Sequence, residues 1–278
     1  MKKLLIACTV FGLFGAVTAQ ASPESDLAEF QNYFKKKFPD VPFDEFSNGI
    51  YALPVAKDRR AEWEAIMEFP PFEIDLETGK ELWEKPMKSG KSMASCFKNN
   101  GANIAQSYPY WDDATKQVRT LESDINACRK KNGEEEFKDL AKGELAAVTA
   151  HMKSLSKGQK IKLDLSNPGA VQAYEKGKQF YWTRRGQLNF ACAHCHIENS
   201  GKSIRGNILS AGLGHGAGFP TYRSEWGYLG TLHQRYAGCN SQVRAKPLKL
   251  QGDEYRSLEL YETYMNTGLP LTAPSHRP

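Results

Sequence analysis

Cys192-Ala193-His194-Cys195-His196 is the stretch that decides the fold. It is a single Cys-x-x-Cys-His, the pattern by which c-type haem is attached to a chain. The spacing has a chemical reason. Two cysteines three positions apart lie on one helical turn and can form thioethers to the two vinyl groups of one porphyrin. The next residue, His196, then falls under the iron and can ligate it from the proximal side. Two rival readings use the same residues. Cys192, Cys195, Cys239 and a histidine could form a tetrahedral zinc site, and Cys192 with Cys195 could form a redox-active disulfide. Neither explains a histidine directly after the second cysteine, nor the glycine-rich stretch that follows.

Outward from the motif, the second half has the layout of a haem domain. Val171, Tyr174, Lys178, Tyr181 and Leu188 recur at three-to-four spacing and predict a helix running into the motif. Tyr255, Leu258, Tyr261 and Met265 predict a last helix, which Gly268 closes. In c-type cytochromes such first and last helices pack together across one haem edge. Between them, Gly201 to Gly218 carries six glycines, which predicts a wrapping loop.

The iron needs a sixth ligand, and the downstream candidates are His215, His233, Cys239 and Met265. His194 faces away from the iron and reads as structural, Met265 sits on an apolar stripe and reads as core, and His276 reads as a loose end. His233 is the conventional choice. Cys239 is favoured, because it is the cysteine without an obvious partner and Arg235 stands four residues before it. On a helix those two share a face, and a guanidinium beside a thiol lowers its pKa and offers a fork of donors to an oxyanion. Gly238 permits close approach of backbone to haem or substrate.

The N-terminal residues 1–21 read as a secretory signal peptide. Lys2 and Lys3 are followed by an apolar run from Leu4 to Val17 that is too short to span a bilayer, then Ala19-Gln20-Ala21, a small-residue cleavage site. Cleavage after Ala21 places the protein in the periplasm, and no other segment is long and apolar enough to cross a membrane. A lipoprotein-like Leu5-Ile6-Ala7-Cys8 has too short an apolar lead. The full chain of 278 residues has a net charge of +5, and loss of Lys2 and Lys3 brings it to +3. No basic tract points to nucleic acid.

Residues 22–150 read as a first, mainly helical domain and residues 151–278 as the haem domain, with the boundary placed within ten residues of 150. Helices are predicted over 27–34, 61–69, 92–100 and 121–132, and a linker over 153–169. Cys96 and Cys128 could pair in an oxidising compartment, which leaves Cys239 unpaired.

At these residues the chain resembles the SoxA subunit of the SoxAX cytochrome complex, from the bacterial thiosulfate-oxidising Sox system. Beyond the haem motif, the resemblance is carried by Gly218-Phe219-Pro220-Thr221-Tyr222-Arg223, Glu225-Trp226, Leu229-Gly230-Thr231-Leu232-His233, Arg235 and Cys239. It continues through Leu258-Glu259-Leu260-Tyr261 and Gly268-Leu269-Pro270. The resemblance implies a mainly α fold of two cytochrome c-like domains. It implies a covalent haem c on Cys192 and Cys195, with His196 and Cys239 as axial iron ligands. It also implies that Cys239, as thiolate or persulfide, and Arg235 are catalytic. The implied activity is that of an L-cysteine S-thiosulfotransferase, joining thiosulfate oxidatively to a cysteine thiol of the carrier protein SoxYZ. The partner subunit SoxX would bring its own haem and pass electrons to an acceptor cytochrome c. Two-haem members carry a second Cys-x-x-Cys-His in the first domain. Here that region reads Cys96-Phe97-Lys98-Asn99-Asn100, which implies a first domain that has lost its haem site, one haem in all, and a Cys96–Cys128 disulfide. A non-enzymatic electron-transfer cytochrome is the competing reading, and a haem-based sensor a third.

Overall fold

The structure, a computed structural model, describes residues 22–278. The signal peptide read from residues 1–21 lies outside the described residues. The molecule is mainly helical, as expected. Eight α-helices span α1 Pro23–Lys37, α2 Lys57–Glu68, α3 Glu73–Glu84, α4 Leu121–Lys131, α5 Glu144–Ser154, α6 Pro168–Trp182, α7 Leu232–Gln242 and α8 Asp253–Met265. Seven short strands are β1 Tyr110–Asp112, β2 Gln117–Arg119, β3 Ser203–Ile204, β4 Asn207–Ile208, β5 Thr221–Arg223, β6 Tyr228–Gly230 and β7 Ser275–Arg277.

These elements repeat one plan twice. In the first half, α3 leads through Cys96 to the β1–β2 hairpin, then α4 carrying Cys128, then α5. In the second, α6 leads through the Cys192–His196 motif to the β5–β6 hairpin, then α7 carrying Cys239, then α8. Pro109 and Pro220, each after a cis peptide, open the two hairpins. Thr120 and Thr231 then cap α4 and α7, accepting from the backbone N–H of Ser123 and Gln234. Such threonine caps satisfy one of the orphan donors of a first turn. Within each half the first and last helices cross at a glycine. A Cβ on Gly79 would lie 2.2 Å from the carbonyl oxygen of Ala147, and one on Gly177 would lie 2.0 Å from that of Ser257. Only a hydrogen in place of a side chain lets α3 meet α5, and α6 meet α8, at that distance. Around the second crossing, Tyr174, Tyr181, Tyr261 and Tyr264 interlock, with ring centroids 5.3–5.4 Å apart between the helices. This is the predicted pairing of the first and last haem-domain helices.

The halves share one continuous apolar core. They also exchange contacts in matching places. The Thr231 N–H donates to Ala141 and its hydroxyl to Leu140, in the α4–α5 connection, while the Thr120 hydroxyl donates to Gln251 in the α7–α8 connection.

Several local expectations change. The helix before the motif stops at Trp182, so Leu188 lies outside it in a tight turn, where Arg185 and Phe190 pair by backbone hydrogen bonds. Residues 92–100 form only two short turns, with Asn99 and Asn100 at positive φ. The α4 stop is a Schellman motif: the Glu134 N–H reaches the Arg129 carbonyl and the Gly133 N–H that of Lys130. Helices α3 and α5 were not foreseen, and α5 runs through residue 150 to Ser154. The chain after it is a packed strap, with Ile161, Leu163 and Leu165 buried and backbone bonds joining Ile161 to Leu269 and Gln159 to Leu271. His276 is not a loose end. It is buried in β7, which pairs in parallel with β5, and its Nε2 lies 2.8 Å from the Ser224 hydroxyl.

Candidate functional site

Cys192, Cys195, His196, Arg235 and Cys239 all line one cavity of about 240 Å³. Three segments build it. The first is the short helical turn from Cys192 to Glu198. His194 fixes its start: its ring Nδ1 accepts the Ala191 N–H at 3.0 Å, a structural role as expected. The second is the glycine-rich loop, in which β3 and β4 form a small hairpin and the chain then folds back over the motif. Gly214, at φ +85°, passes so close to the first half that a Cβ there would lie 1.9 Å from the carbonyl oxygen of Phe46. The third is α7, which places Arg235 and Cys239 one turn apart on the cavity wall.

His196 is prepared as a metal ligand. Its Nδ1 lies 3.1 Å from the Ser210 carbonyl oxygen, to which it donates, and 3.2 Å from the Ser210 hydroxyl. That bond fixes the tautomer and leaves Nε2 as the bare donor atom, the arrangement usual for a ligating imidazole. Burial, then the neighbouring His215, push its pKa well down, so the ring is neutral as a ligand must be.

Of the four sixth-ligand candidates, Cys239 and His215 line the cavity and His233 and Met265 do not. The Nδ1 of His233 accepts the Gln251 N–H at 3.0 Å and its Nε2 lies 3.0 Å from a carboxylate oxygen of Glu259, so the ring is buried in the interior. Met265 is buried in the core. His215 does line the cavity, but its ring stacks face to face on His196 with centroids 4.2 Å apart and its Nδ1 lies 3.3 Å from Glu262. His215 is thus held on the His196 side of the cavity, whereas Cys239 stands on α7. Cys192, Cys195 and Cys239 are the free cysteines among the described residues. Burial, then Glu262, push the Cys192 thiol pKa up, and burial, then Cys239, do so for Cys195. Both cysteines are free to form thioethers. A Cβ at Gly238 would meet nothing within 4 Å, so the room expected there lies on the open side of α7.

Three elements of the site escaped the sequence. Ser210 orients His196. Glu262 of α8 accepts from the Tyr236 hydroxyl of α7 at 2.5 Å, and so pins α7 to the cavity floor. Arg277 lines the cavity too, as the register partner of Arg223. A glutamate inside the apolar stripe of α8 was the visible signal for the second.

The free Cys239 beside the haem motif and Arg235 is the geometry to set against known proteins. The chain is 46% identical, over 99% of its length and 94% of the relative's, to L-cysteine S-thiosulfotransferase subunit SoxA of Chlorobaculum tepidum. It is 50% identical to the subunit of that name from Allochromatium vinosum, over 95% of this chain and 92% of that one. The chain belongs to the SoxA family. The family described as "SoxA/TsdA, cytochrome c domain" matches residues 78–161. A crystal structure of SoxXA from P. pantotrophus superposes with a TM-score of 0.72 at 29% identity, covering 78% of this chain and 84% of that one. SoxA membership and the cytochrome c domain make haem c the cofactor of this chain, and the cavity fits it. Two free thiols, a tautomer-fixed neutral imidazole and a hollow between them and α7 are what covalent attachment and proximal ligation need.

Proposed function

We propose that this chain is the thiosulfate-conjugating subunit of a periplasmic complex with a SoxX cytochrome, joining thiosulfate oxidatively to a cysteine thiol of the SoxYZ carrier. The observation that carries the reading is Cys239: a free thiol on the wall of the haem-motif cavity, one helical turn after Arg235.

In this reading Cys192 and Cys195 would hold one haem c through thioethers, and His196 and Cys239 would ligate its iron. The haem would supply the acceptor through which electrons leave toward the SoxX haem and an acceptor cytochrome c. Arg235 holds the sulfonate oxygens by charge-assisted hydrogen bonds. The Cys239 sulfur, as thiolate or carrying one further sulfur as persulfide, bonds to the outer sulfur of thiosulfate. From the thiolate this gives Cys239–S–S–SO3⁻ and releases two electrons. The carrier thiolate then attacks the sulfur that bears the sulfonate. The bond to Cys239 breaks, Cys239 returns as thiolate, and the carrier leaves with the S–SO3⁻ group.

The chain up to the end of α5 at Ser154 forms a cytochrome c-like domain without haem, and the rest the haem domain. The cytochrome c family match over 78–161 supports this, because that stretch holds no Cys-x-x-Cys-His. So does the joining of Cys96 to Cys128, which leaves no free thiol there. Trp83 also occupies space in that half, lying 2.6 Å from where a Cβ on Gly101 would be. Cys239→Ala in the assembled complex is expected to bring thiosulfate conjugation to background with the haem still attached. Arg235→Ala should cost on the order of 10²-fold, as for loss of one charge-stabilising donor. Unchanged turnover in Cys239→Ala would contradict the proposal.

A further inference from the structure

The strands β5 and β7 bring to the cavity lining two arginines that the reaction above does not use. Strands β5 and β7 run in parallel with Arg223 and Arg277 as register partners, so their side chains leave the sheet side by side on one face. Like charges in such neighbouring positions destabilise a sheet. Arg223 is also 8% exposed and feels Arg235 across the cavity. Burial, then Arg235, lower its pKa to about 10, and burial lowers that of Arg277 to about 10, so both stay charged at neutral pH. Around the whole cavity stand six arginines and two glutamates. Of the two, Glu262 is committed to Tyr236 and His215. Glu225 is left, 3.1 Å from Arg223.

The chain is shaped to hold these guanidinium groups. Arg277 lies on Gly49, at φ +63°, where a Cβ would be 2.9 Å from both Nε and Nη2, and over the Tyr51 ring at 5.7 Å. Arg223 lies over the Trp226 ring at 5.3 Å and donates from Nε to the Pro278 carbonyl at 3.0 Å. Each group makes two hydrogen bonds to the protein. A guanidinium has five N–H donors, so three on each are left for a ligand.

The repeat shows that the fold does not demand this arrangement. Counting from Pro109 and from Pro220, the positions of Arg223 and Arg235 are held in the first half by Asp112 and Asp124. The first half also has no counterpart of β7; its hairpin is two-stranded. The added strand thus brings one arginine into register with another on the lining of the cavity that Cys239 also lines.

We propose that Arg223 and Arg277 form a second anion subsite, which grips the sulfonate of the S–SO3⁻ group from the sheet side while Arg235 grips it from α7. This rests on the functional reading above and adds two specificity-determining residues to it. Two clamps from different elements fix the direction of the sulfur–sulfur axis, with the outer sulfur toward Cys239, which one arginine cannot do. A dianion with a tetrahedral oxyanion end suits the site, and a neutral thiol does not.

The test uses the complex with its partner subunit. Arg277→Gln and Arg223→Gln are each expected to raise the KM for thiosulfate on the order of tenfold or more, with kcat changed less than about threefold. Inorganic sulfate, as a non-reacting probe, should raise the melting temperature of the wild type but not that of either variant. Arg277→Lys, which keeps charge without the fork, should recover part of the KM. If glutamine at 277 prevents folding, as judged by the haem absorption spectrum, Arg223→Gln is judged by the same two readouts. A wild-type KM and a wild-type sulfate response in a folded variant would overturn the subsite. If the wild-type complex conjugates no thiosulfate, or Arg235→Ala leaves turnover intact, the functional reading fails. If only Arg223 and Arg277 prove silent, that reading stands and the second subsite falls.

Discussion

Pro109–Cys128 and Pro220–Cys239 are segments of equal length, each folded as a hairpin, a capping threonine and a helix that ends its second turn on a cysteine. They meet opposite fates. Cys128 closes a disulfide with Cys96, whereas Cys239 stays free on a cavity wall. The first segment has Asp112 and Asp124 where the second has Arg223 and Arg235. Asp124 is tied up locally, with the Tyr108 hydroxyl at 2.8 Å and the Arg119 guanidinium at 2.6 Å. Arg235 is left facing a void. One backbone plan therefore carries a closed disulfide in one half and an open cysteine-lined cavity in the other. The difference lies in a handful of side chains, the long glycine loop and the extra strand β7.

The comparison is most exposed at its cysteines. Replacing Cys192 and Cys195 together by serine should abolish covalent haem, read as loss of the haem band in a denaturing gel, and all activity with it. Replacing Cys96 and Cys128 by serine should leave one haem per chain, measured by pyridine haemochrome. Two haems in the wild type would break the account of the first half. The same Cys96/Cys128 variant should lose stability instead. The bridge closes a sequence separation of 32 residues, and on the chain-entropy model its loss costs about 3–4 kcal/mol, readable by denaturant titration.

The smallest expected effect lies where the halves touch. Glu122 of α4 and His233 of α7 occupy the same position after their capping threonines, and they meet near Glu259. Glu122 is buried, and burial and then Glu259 raise its pKa, with Lys153 and His233 opposing. An acid whose folded pKa is raised contributes stability below the unfolded value of about 4.3 and loses it as pH rises through the folded value. Glu122→Gln should therefore match the wild type near pH 4 and be the more stable of the two toward neutrality. A melting-temperature series against pH that shows parallel curves would remove Glu122 from the account.

The site's chemistry was more legible in the sequence than its architecture. The haem motif, the glycine loop, Arg235 and Cys239 announce themselves because each needs particular residue types at fixed spacing. Tyr174, Tyr181 and Tyr261 show the haem-domain helices because apolar periodicity follows burial. The helices α3 and α5 were hidden for a physical reason. α5, with the buried run Leu145 to Ala150, is apolar nearly all round and has no periodic face to read, and α3 buries little beyond Gly79 and Trp83. The repeat was hidden because its halves share spacing and caps, while the side chains at matching positions differ in charge. Arg277 was hidden because parallel register between β5 and β7 joins residues far apart in the chain.

The most direct test is low-temperature electron paramagnetic resonance of the oxidised protein, wild type beside Cys239→Ala. The account predicts a low-spin ferric signal of the thiolate-ligated type in the wild type, lost in the variant. Identical signals from the two would contradict it, taking Cys239 off the iron and returning His215 as the ligand to examine.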